Sequence, residues 1–276
     1  INPFCPIISP TYKRCMTPMN KNPFENHNVG HLSASSINEY ITNPQRWILH
    51  VSGFRDRFGI PAMWRGTAVD KALCIAIEEP DVSEAQIIKW AENSFDEEYK
   101  SAIEDKIPVM TVRAESERDN LSRYLAPAIP HFRSLGKPLV TQKKIKLELD
   151  ELPIPIIGYL DLLYDGVVRD IKTVSRLPNK VPTATCRQLS IYATAENCHP
   201  IVDYVHANKT ASKVVVMPVE NVDAHMAVVR QAANNMMRLL SYSDDITEIA
   251  SLMIPDLDDW RWSDGERVAA KKLWRI

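Results

Sequence analysis

Along residues 31–137, apolar positions recur at intervals of three and four, which is the spacing of one face of an α-helix. Two capping boxes, Ser36 with Glu39 and Asp81 with Glu84, mark predicted helix starts. Prolines mark predicted ends or kinks, because proline cannot continue an α-helix. The predicted helices run from Ser36 to Pro44, around Trp47, from Pro61 to about Glu79, from Asp81 to about Tyr99, and from Val112 to Leu135. The last is either kinked at Pro127 and Pro130 or really two helices.

From Pro138 onward the pattern changes to strict alternation, which is typical of a β-strand with one buried face. Strands are predicted at 139–149, 154–163, 167–173, 201–207 and 212–217. Helices are predicted at 182–198, 222–240 and 264–274. The fold class is therefore α/β, with a mixed sheet of about five strands flanked by helices and a mostly helical N-terminal part.

The chain is predicted to form an irregular arm over residues 1–30, followed by a single domain over 31–276. Pro6, Pro10, Pro18 and Pro23 forbid a long helix there. The domain divides into a mostly helical part (31–137), a part that contains the sheet (138–219), and C-terminal helices (220–276).

Composition excludes several classes of protein. The 276 residues are 45% hydrophobic and 25% charged, with only 8 glycines, which excludes wholesale disorder and glycine-rich repeats. A net charge of −2 leaves room only for a local nucleic-acid-binding patch. No apolar run approaches the roughly 20 residues that span a bilayer, so no membrane association is expected. Five scattered cysteines without a Cys-x-x-Cys pair favour reduced thiols in a cytoplasm.

The sequence Asp165-Gly166 is a strong signal for a two-residue hairpin turn. With these residues at the tip, Asp161 falls opposite Asp170, and Lys172 lies on the same strand face as Asp170. Two facing carboxylates are unfavourable unless one raises its pKa or a cation lies between them. Oxygen ligands of this kind suit Mg²⁺ or Mn²⁺. The alternative is an exposed hairpin with solvated side chains, although the flanking residues are strongly apolar.

This hairpin resembles the core motif of the PD-(D/E)XK nuclease superfamily, in its RecB-like, phage-type exonuclease branch. The hairpin supplies Asp161 and Asp170-Ile171-Lys172-Thr173. The other matching segments, spread in the expected order over 32–193, are Leu32-Ser33-Ala34-Ser35-Ser36-Ile37 through Tyr40, Gly66-Thr67-Ala68-Val69-Asp70, Gly158-Tyr159-Leu160-Asp161, and Gln188-Leu189-x-x-Tyr192-Ala193.

The resemblance implies a restriction-endonuclease-like core and a role for each matched residue. Asp161, Asp170 and the backbone carbonyl of Ile171 would bind Mg²⁺ or Mn²⁺, and Lys172 would be the catalytic lysine. Gln188 and Tyr192 would support the active site or the DNA backbone, unless they only pack within their helix. The implied DNA contacts are Ser33, Ser35, Arg65, Thr173 and Arg187.

The chain departs from the family pattern at two places. Asp70 stands where this branch has a histidine ligand, so it is either a carboxylate ligand or a surface residue. Some relatives hold an iron–sulfur cluster, but Asn43-Pro44 stands where the early cysteine would fall and no cysteine follows Cys198. We therefore expect no iron–sulfur cluster.

Two nearby groups of charged residues are open to two interpretations. Glu148 on the first strand could join the acidic cluster or be solvated. The basic residues close to the motifs could contact phosphates or form a solvated face; they are Lys143, Lys144, Lys146, Lys71, Arg65 and Arg187.

The function that the resemblance implies is a divalent-metal-dependent DNA exonuclease, with phage-type end resection for recombination or repair. A structure-specific or restriction-type endonuclease and a non-catalytic DNA-binding relative are the alternatives. The expected partners are DNA, as duplex ends or a single strand, a second copy of the chain, and a single-strand annealing protein. The expected location is the cytoplasm, or the host cytoplasm for a phage-encoded protein.

Overall fold

A computed structural model describes residues 22–276, and five of its strands form one mixed sheet. Their spatial order follows the chain order: β1 (Val140–Leu147), β2 (Ile156–Tyr164), β3 (Val167–Val174), β4 (His199–Ala207) and β5 (Ser212–Pro218). Strands β3 and β4 are parallel and the other neighbours are antiparallel. The predicted mixed sheet and its flanking helices are confirmed.

Helices precede, interrupt and follow the sheet. They are α1 (Pro23–Asn26), α2 (Ala34–Thr42), α3 (Pro44–Val51), α4 (Pro61–Glu78), α5 (Glu84–Glu104), α6 (Thr111–Asp119), α7 (Leu121–Ser134), α8 (Thr183–Glu196), α9 (Val222–Leu240), α10 (Ile246–Ala250) and α11 (Asp264–Trp274). Helix α8 connects β3 to β4, which is the crossover that a parallel pair requires.

The two faces of the sheet are covered by different helices. Helices α2, α3, α8 and α9 pack on one face in a first core that includes Leu160, Val168 and Tyr204. Helices α4, α5 and α7 pack on the other face in a second core that includes Leu162 and Ile171. Both faces are therefore buried, as in a restriction-endonuclease-like fold. No helix in the described range is long and apolar enough to cross a membrane.

Two predicted helix starts are wrong by a few residues. The Ser33 side chain, not that of Ser36, caps α2, and its oxygen accepts a hydrogen bond from the Ser36 N–H at 3.1 Å. Ser83, not Asp81, caps α5. In both cases the nearer hydroxyl reaches the free N–H groups of the first turn.

Of the two alternatives for residues 112–135, the structure confirms two helices, α6 and α7, which meet at Asn120. Pro127 and Pro130 lie inside α7. Buried Leu125 and Ile129 hold α7 in the second core, so tertiary packing maintains the helix through both prolines.

The expected irregular arm is only partly visible, because residues 1–21 lie outside the described range. Within the rest of it, Pro23–Asn26 forms the short helix α1 and Phe24 is buried in the first core. The short helix α10 was not predicted, and its Ile249 and Ala250 are buried against the same core.

Candidate active site

The β2–β3 hairpin has the predicted register at its tip and opens beyond it. Tyr164 pairs with Val167 and Leu162 with Arg169, but the ladder ends there, so the predicted strand pairing of Asp161 with Asp170 does not form. Instead, Asp161 Oδ2 accepts a hydrogen bond from the Ile171 N–H at 2.7 Å. A side chain thus takes the place of a backbone partner, and the two strands fork at the candidate site.

Lys172 and Asp170 form an ion pair at this fork. Lys172 Nζ donates a hydrogen bond to Asp170 Oδ1 at 2.9 Å and lies 2.8 Å from Oδ2. The Asp170 residue is only 2% exposed. The predicted placement of Lys172 on the same strand face as Asp170 is confirmed by this contact.

Helix α4 brings a third carboxylate to the site. Asp70 Oδ2 accepts a hydrogen bond from Gln142 Nε2 at 2.6 Å, and Asp70 lies close enough to Asp170 and Asp161 to interact with them electrostatically. Gln142 has a positive φ of 48° within β1. The sequence carries no motif at Gln142, so sequence reasoning missed it.

Burial and mutual repulsion shift the protonation of all three carboxyl groups. Burial raises the pKa of Asp161 well above its usual value, and the charges of Asp170 and Asp70 raise it further. Burial also raises the pKa of Asp170, although Lys172 opposes the shift. For Asp70, burial raises the pKa to about 6, while the hydrogen bond from Gln142 opposes this.

The Lys172 ammonium is stabilised by the same carboxylates. Burial alone would lower its pKa, but Asp170 and Asp161 together raise it. The site therefore gathers three acids around one cation, which is an arrangement that attracts further positive charge.

The residues at the fork fit a divalent cation. Asp70 Oδ1 is buried and accepts no hydrogen bond from residues 22–276, so it has lone pairs free for a metal ion, whereas both oxygens of Asp170 lie within 2.9 Å of the Lys172 ammonium. Over residues 22–276, no three His, Cys, Asp or Glu side chains already form a complete metal-binding group. Mg²⁺ does not require such a group, because it is usually held by one or two carboxylates and keeps several waters. The Ile171 carbonyl remains a predicted ligand.

Gln188 and Tyr192 lie beside the acids, on α8. Gln188 Nε2 donates a hydrogen bond to Tyr192 Oη at 3.0 Å. Burial raises the pKa of Tyr192, and the nearby Asp170 charge adds to this. A Cβ added to Gly158 would lie 2.5 Å from Tyr192 Cε1, so this glycine is needed for the tyrosine to reach its place. Their support of the active site stays a prediction.

The five predicted DNA contacts have different surroundings. Arg65 is buried, donates to Thr173 Oγ1 at 3.2 Å and to the Thr173 carbonyl at 3.1 Å, and forms an ion pair with Glu117. Its guanidinium therefore ties α4 to the end of β3. Arg187 Nε donates to Asn38 Oδ1 at 2.6 Å, which joins α8 to α2. DNA contact by Arg65, Thr173 and Arg187 stays a prediction.

Ser33 and Ser35 lie together at the start of α2. Their hydroxyl oxygens are 3.0 Å apart, and both residues line a cleft beside Gln188 and Tyr192. Their contact with DNA stays a prediction.

The surrounding charged residues are mostly paired. Lys146 forms an ion pair with Glu148 at 2.6 Å, and this contact lowers the pKa of Glu148. Glu148 is exposed, so it does not join the acidic cluster. Lys143 forms an ion pair with Glu196 at 2.7 Å, while Lys144 is exposed to solvent.

Comparisons with known proteins agree with this geometry. The family model of the PD-(D/E)XK nuclease superfamily matches residues 31–251. A crystal structure of a candidate exonuclease from Eubacterium rectale is similar, with a TM-score of 0.55, 14% identity and 92% of each chain covered. The structure of SSO0001 aligns with a TM-score of 0.34, 13% identity, and 70% of this chain and 96% of that chain covered, and it supports no argument. No curated protein matches the sequence significantly.

Proposed function

This chain belongs to the PD-(D/E)XK nuclease superfamily, and from that membership we propose that it is a divalent-metal-dependent DNA exonuclease. The observation that carries the proposal is the cluster at the β2–β3 fork. There Asp161 and Asp170 lie with Lys172, whose ammonium contacts both oxygens of the buried Asp170 carboxylate. A non-catalytic relative would have no need to retain this costly burial of like charges.

Each residue at the fork has a proposed part in phosphodiester hydrolysis. Asp161, Asp170 and the Ile171 carbonyl would hold Mg²⁺ or Mn²⁺, and Asp70 would be a further carboxylate ligand. The ion would supply Lewis acidity toward a water molecule and a phosphate oxygen.

Lys172 would act on the substrate side of the same site. Its ammonium is held by Asp170 at the fork, where it could offset the charge that develops on the scissile phosphate. Tyr192 and Gln188 form a wall beside this ammonium and would keep it and the DNA backbone in position.

The exonuclease mode can be tested with two forms of one plasmid. An end-labelled linear duplex and the covalently closed circle are incubated with Mg²⁺ and, separately, with Mn²⁺. We expect degradation of the linear form only. Cleavage of the closed circle would instead establish an endonuclease. Failure to cut duplex or single-stranded DNA with either metal, under conditions that preserve the fold, would indicate a non-catalytic relative. The Asp161→Asn variant is the control for a contaminating nuclease.

The biological setting is a further part of the proposal. An exonuclease could resect DNA ends for recombination or repair in a phage-type system. Its partners there would be a single-strand annealing protein and a second copy of this chain. Co-purification with a single-strand annealing protein and measurement of mass in solution test these points. We also propose that the enzyme works without an iron–sulfur cluster, which iron analysis of the pure protein tests.

A further inference from the structure

Gln142 has an unusual backbone conformation for a strand residue. Its φ is +48°, in the left-handed region that residues other than glycine rarely adopt. The other non-glycine residues with a positive φ in the described range lie in turns or at helix ends, whereas Gln142 lies within β1. Such a conformation persists only where surrounding contacts hold it, and it is concentrated at functional sites.

Gln142 lies opposite Asp161 in the sheet. The β1–β2 ladder is regular on both sides of this position, at Thr141–Leu162 and Lys143–Leu160, but these two strands form no pairing between Gln142 and Asp161. The ladder between β2 and β3 also ends before Asp161. Both strands that flank β2 therefore depart from regular pairing at the same residue of the metal site.

The left-handed backbone directs two consecutive side chains of β1 toward α4. Thr141 Oγ1 donates a hydrogen bond to Glu78 Oε1 at 2.9 Å, and Gln142 Nε2 donates one to Asp70 Oδ2 at 2.6 Å. Consecutive side chains of a regular strand point to opposite faces of the sheet. The departure at Gln142 is therefore what allows its amide to reach Asp70.

The amide holds one oxygen of Asp70 and leaves the other free. Among residues 22–276, Gln142 donates the only hydrogen bond to this carboxylate. Asp70 Oδ1 is buried and has no hydrogen-bond partner in the same range. A ligand that is fixed at one atom by a neighbouring group presents its other atom to a metal ion in a defined orientation.

Gln142 differs from Lys172 in the charge that it brings to the site. Lys172 holds Asp170 with an ammonium, which offsets the charge of that carboxylate. An amide is neutral, so Gln142 orients Asp70 and leaves its negative charge available to a cation.

We infer that Gln142 is a positioning residue for the metal site: its amide holds Asp70 Oδ2, and Asp70 Oδ1 is thereby presented to the divalent cation. Gln142 acts through Asp70 and is not itself a ligand. This inference rests on the proposed function, which supplies the metal ion.

The test uses two variants of Gln142 and one matched control. Gln142→Gly removes the amide, and glycine adopts a positive φ without strain. Gln142→Met keeps a long side chain but has no N–H donor. Because Gln142 is exposed on the edge strand β1, neither change removes a buried side chain. The control, Thr141→Ala, removes the neighbouring hydrogen bond from β1 to α4.

Metal binding is measured without DNA and then compared with cleavage. The affinity for Mn²⁺ is determined from the electron paramagnetic resonance signal of the free ion, and melting temperatures are measured with and without Mg²⁺. Cleavage rates are recorded over a range of Mg²⁺ concentrations. Both Gln142→Gly and the double variant with Asp70→Asn are included, because the double variant shows whether Gln142 acts through Asp70.

We expect both Gln142 variants to bind Mn²⁺ about 10-fold to 100-fold more weakly, the range for loss of a group that orients a ligand. The Mg²⁺ concentration for half-maximal cleavage should rise by a similar factor, while the rate at saturating Mg²⁺ should fall much less. In the Asp70→Asn background, Gln142→Gly should cause no further loss of affinity. Thr141→Ala should bind Mn²⁺ as the wild type does.

Three results would overturn the inference and leave the nuclease intact: wild-type Mn²⁺ affinity in Gln142→Gly, an equal further loss in the Asp70→Asn background, or an equal loss in Thr141→Ala. Gln142-dependent Mn²⁺ binding by a wild type that cuts no DNA would instead refute the nuclease and leave the positioning role standing. A wild type that binds neither Mn²⁺ nor Mg²⁺ would refute both.

Discussion

The Lys172 ammonium lies 2.9 Å from Oδ1 and 2.8 Å from Oδ2 of Asp170, so one lysine neutralises a carboxylate that is almost fully buried. Both residues lie on β3, two positions apart, and face the same fork. This pair places a fixed positive charge beside the proposed metal ligands, and Asp161 is not a member of the pair.

Replacing Lys172 should separate DNA binding from catalysis. Lys172→Ala removes the ammonium but no carboxylate, so Mg²⁺ should still bind and DNA affinity in Ca²⁺ should change little. The single-turnover rate should fall by about 10²–10³, as when one preorganised charge-stabilising group is lost. Lys172→Arg should not restore the rate, because the guanidinium is wider and does not release its proton.

The control for Lys172 is Lys100→Ala, which deletes an exposed charge that pairs with Glu104. Equal losses of affinity and rate in Lys172→Ala would contradict the catalytic role and make the lysine a phosphate anchor.

Asp161→Asn should abolish cleavage and leave the fold intact or more stable. The amide oxygen can still accept the hydrogen bond from the Ile171 N–H, while the repulsion with Asp170 and Asp70 disappears. Melting temperatures with and without Mg²⁺ should show a stabilisation by Mg²⁺ in the wild type that is reduced in the variant. Asp165→Asn, at the exposed hairpin turn, is the matched control. Retained activity in Asp161→Asn would remove this residue from the metal site.

Asp70 should make the stability of the metal-free protein depend on pH. Its pKa is raised by burial from 3.8 to about 6, so the folded protein binds the proton more tightly than the unfolded chain does. The contribution of Asp70 to stability is therefore greatest below about pH 4 and is lost as the pH rises toward and through 6. Asp70→Asn should gain stability relative to the wild type between pH 4 and pH 7, on the order of 1–2 kcal/mol.

Urea unfolding in EDTA at several pH values measures this difference. The exposed Asp81, changed to Asn, is the control and should show no such trend. If Asp70 is also a ligand, Mg²⁺ should stabilise the wild type more than Asp70→Asn at pH 7.5. Parallel pH profiles for wild type and Asp70→Asn would be inconsistent with a buried, repelled carboxylate.

Gly158→Ala should impair activity by displacing Tyr192. The added Cβ would lie 2.5 Å from Tyr192 Cε1 and 3.3 Å from its Oη, which forces the ring or β2 to move. The cost in stability should be about 1–3 kcal/mol, as for other overpacked positions. Gly30→Ala is the control, because no atom of residues 22–276 lies within 4 Å of its added Cβ. Tyr192→Phe in the Gly158→Ala background should not restore the rate, since the clash involves the ring itself.

Glu266 should be needed to hold the C-terminal helix α11 on α3. It is 2% exposed and lies 2.8 Å from Arg46 Nη2 and 2.9 Å from His50 Nε2. Glu266→Ala leaves the Arg46 charge without this partner, and the free energy of unfolding in urea should fall by about 3–5 kcal/mol. Asp264→Ala, whose side chain is 99% exposed, should change it by less than about 1 kcal/mol. Equal effects of the two substitutions would show that α11 is held by its apolar contacts.

Local signals in the sequence determined the positions of helices and strands and the register at the tip of the β2–β3 hairpin. Helices α9 and α11 begin and end where the pattern predicts, at 222–240 and 264–274. Asp165-Gly166 fixed the pairing of Leu162 with Arg169, because the turn and the register depend only on residues adjacent in the chain. The nuclease family was likewise evident from motifs that lie on single strands and helices.

The tertiary structure alone decided which side chains share the site. Gln142 bonds to Asp70 across 72 positions of sequence, and Arg65 turns inward to Thr173 across 108. Helix packing determines such contacts, so no local pattern of charge or hydrophobicity reveals them. The forked strands follow the same rule: the Asp165-Gly166 turn predicts that Asp161 pairs with Asp170, but the carboxyl group of Asp161 accepts a hydrogen bond from the Ile171 N–H, because a buried polar group needs a hydrogen-bond partner.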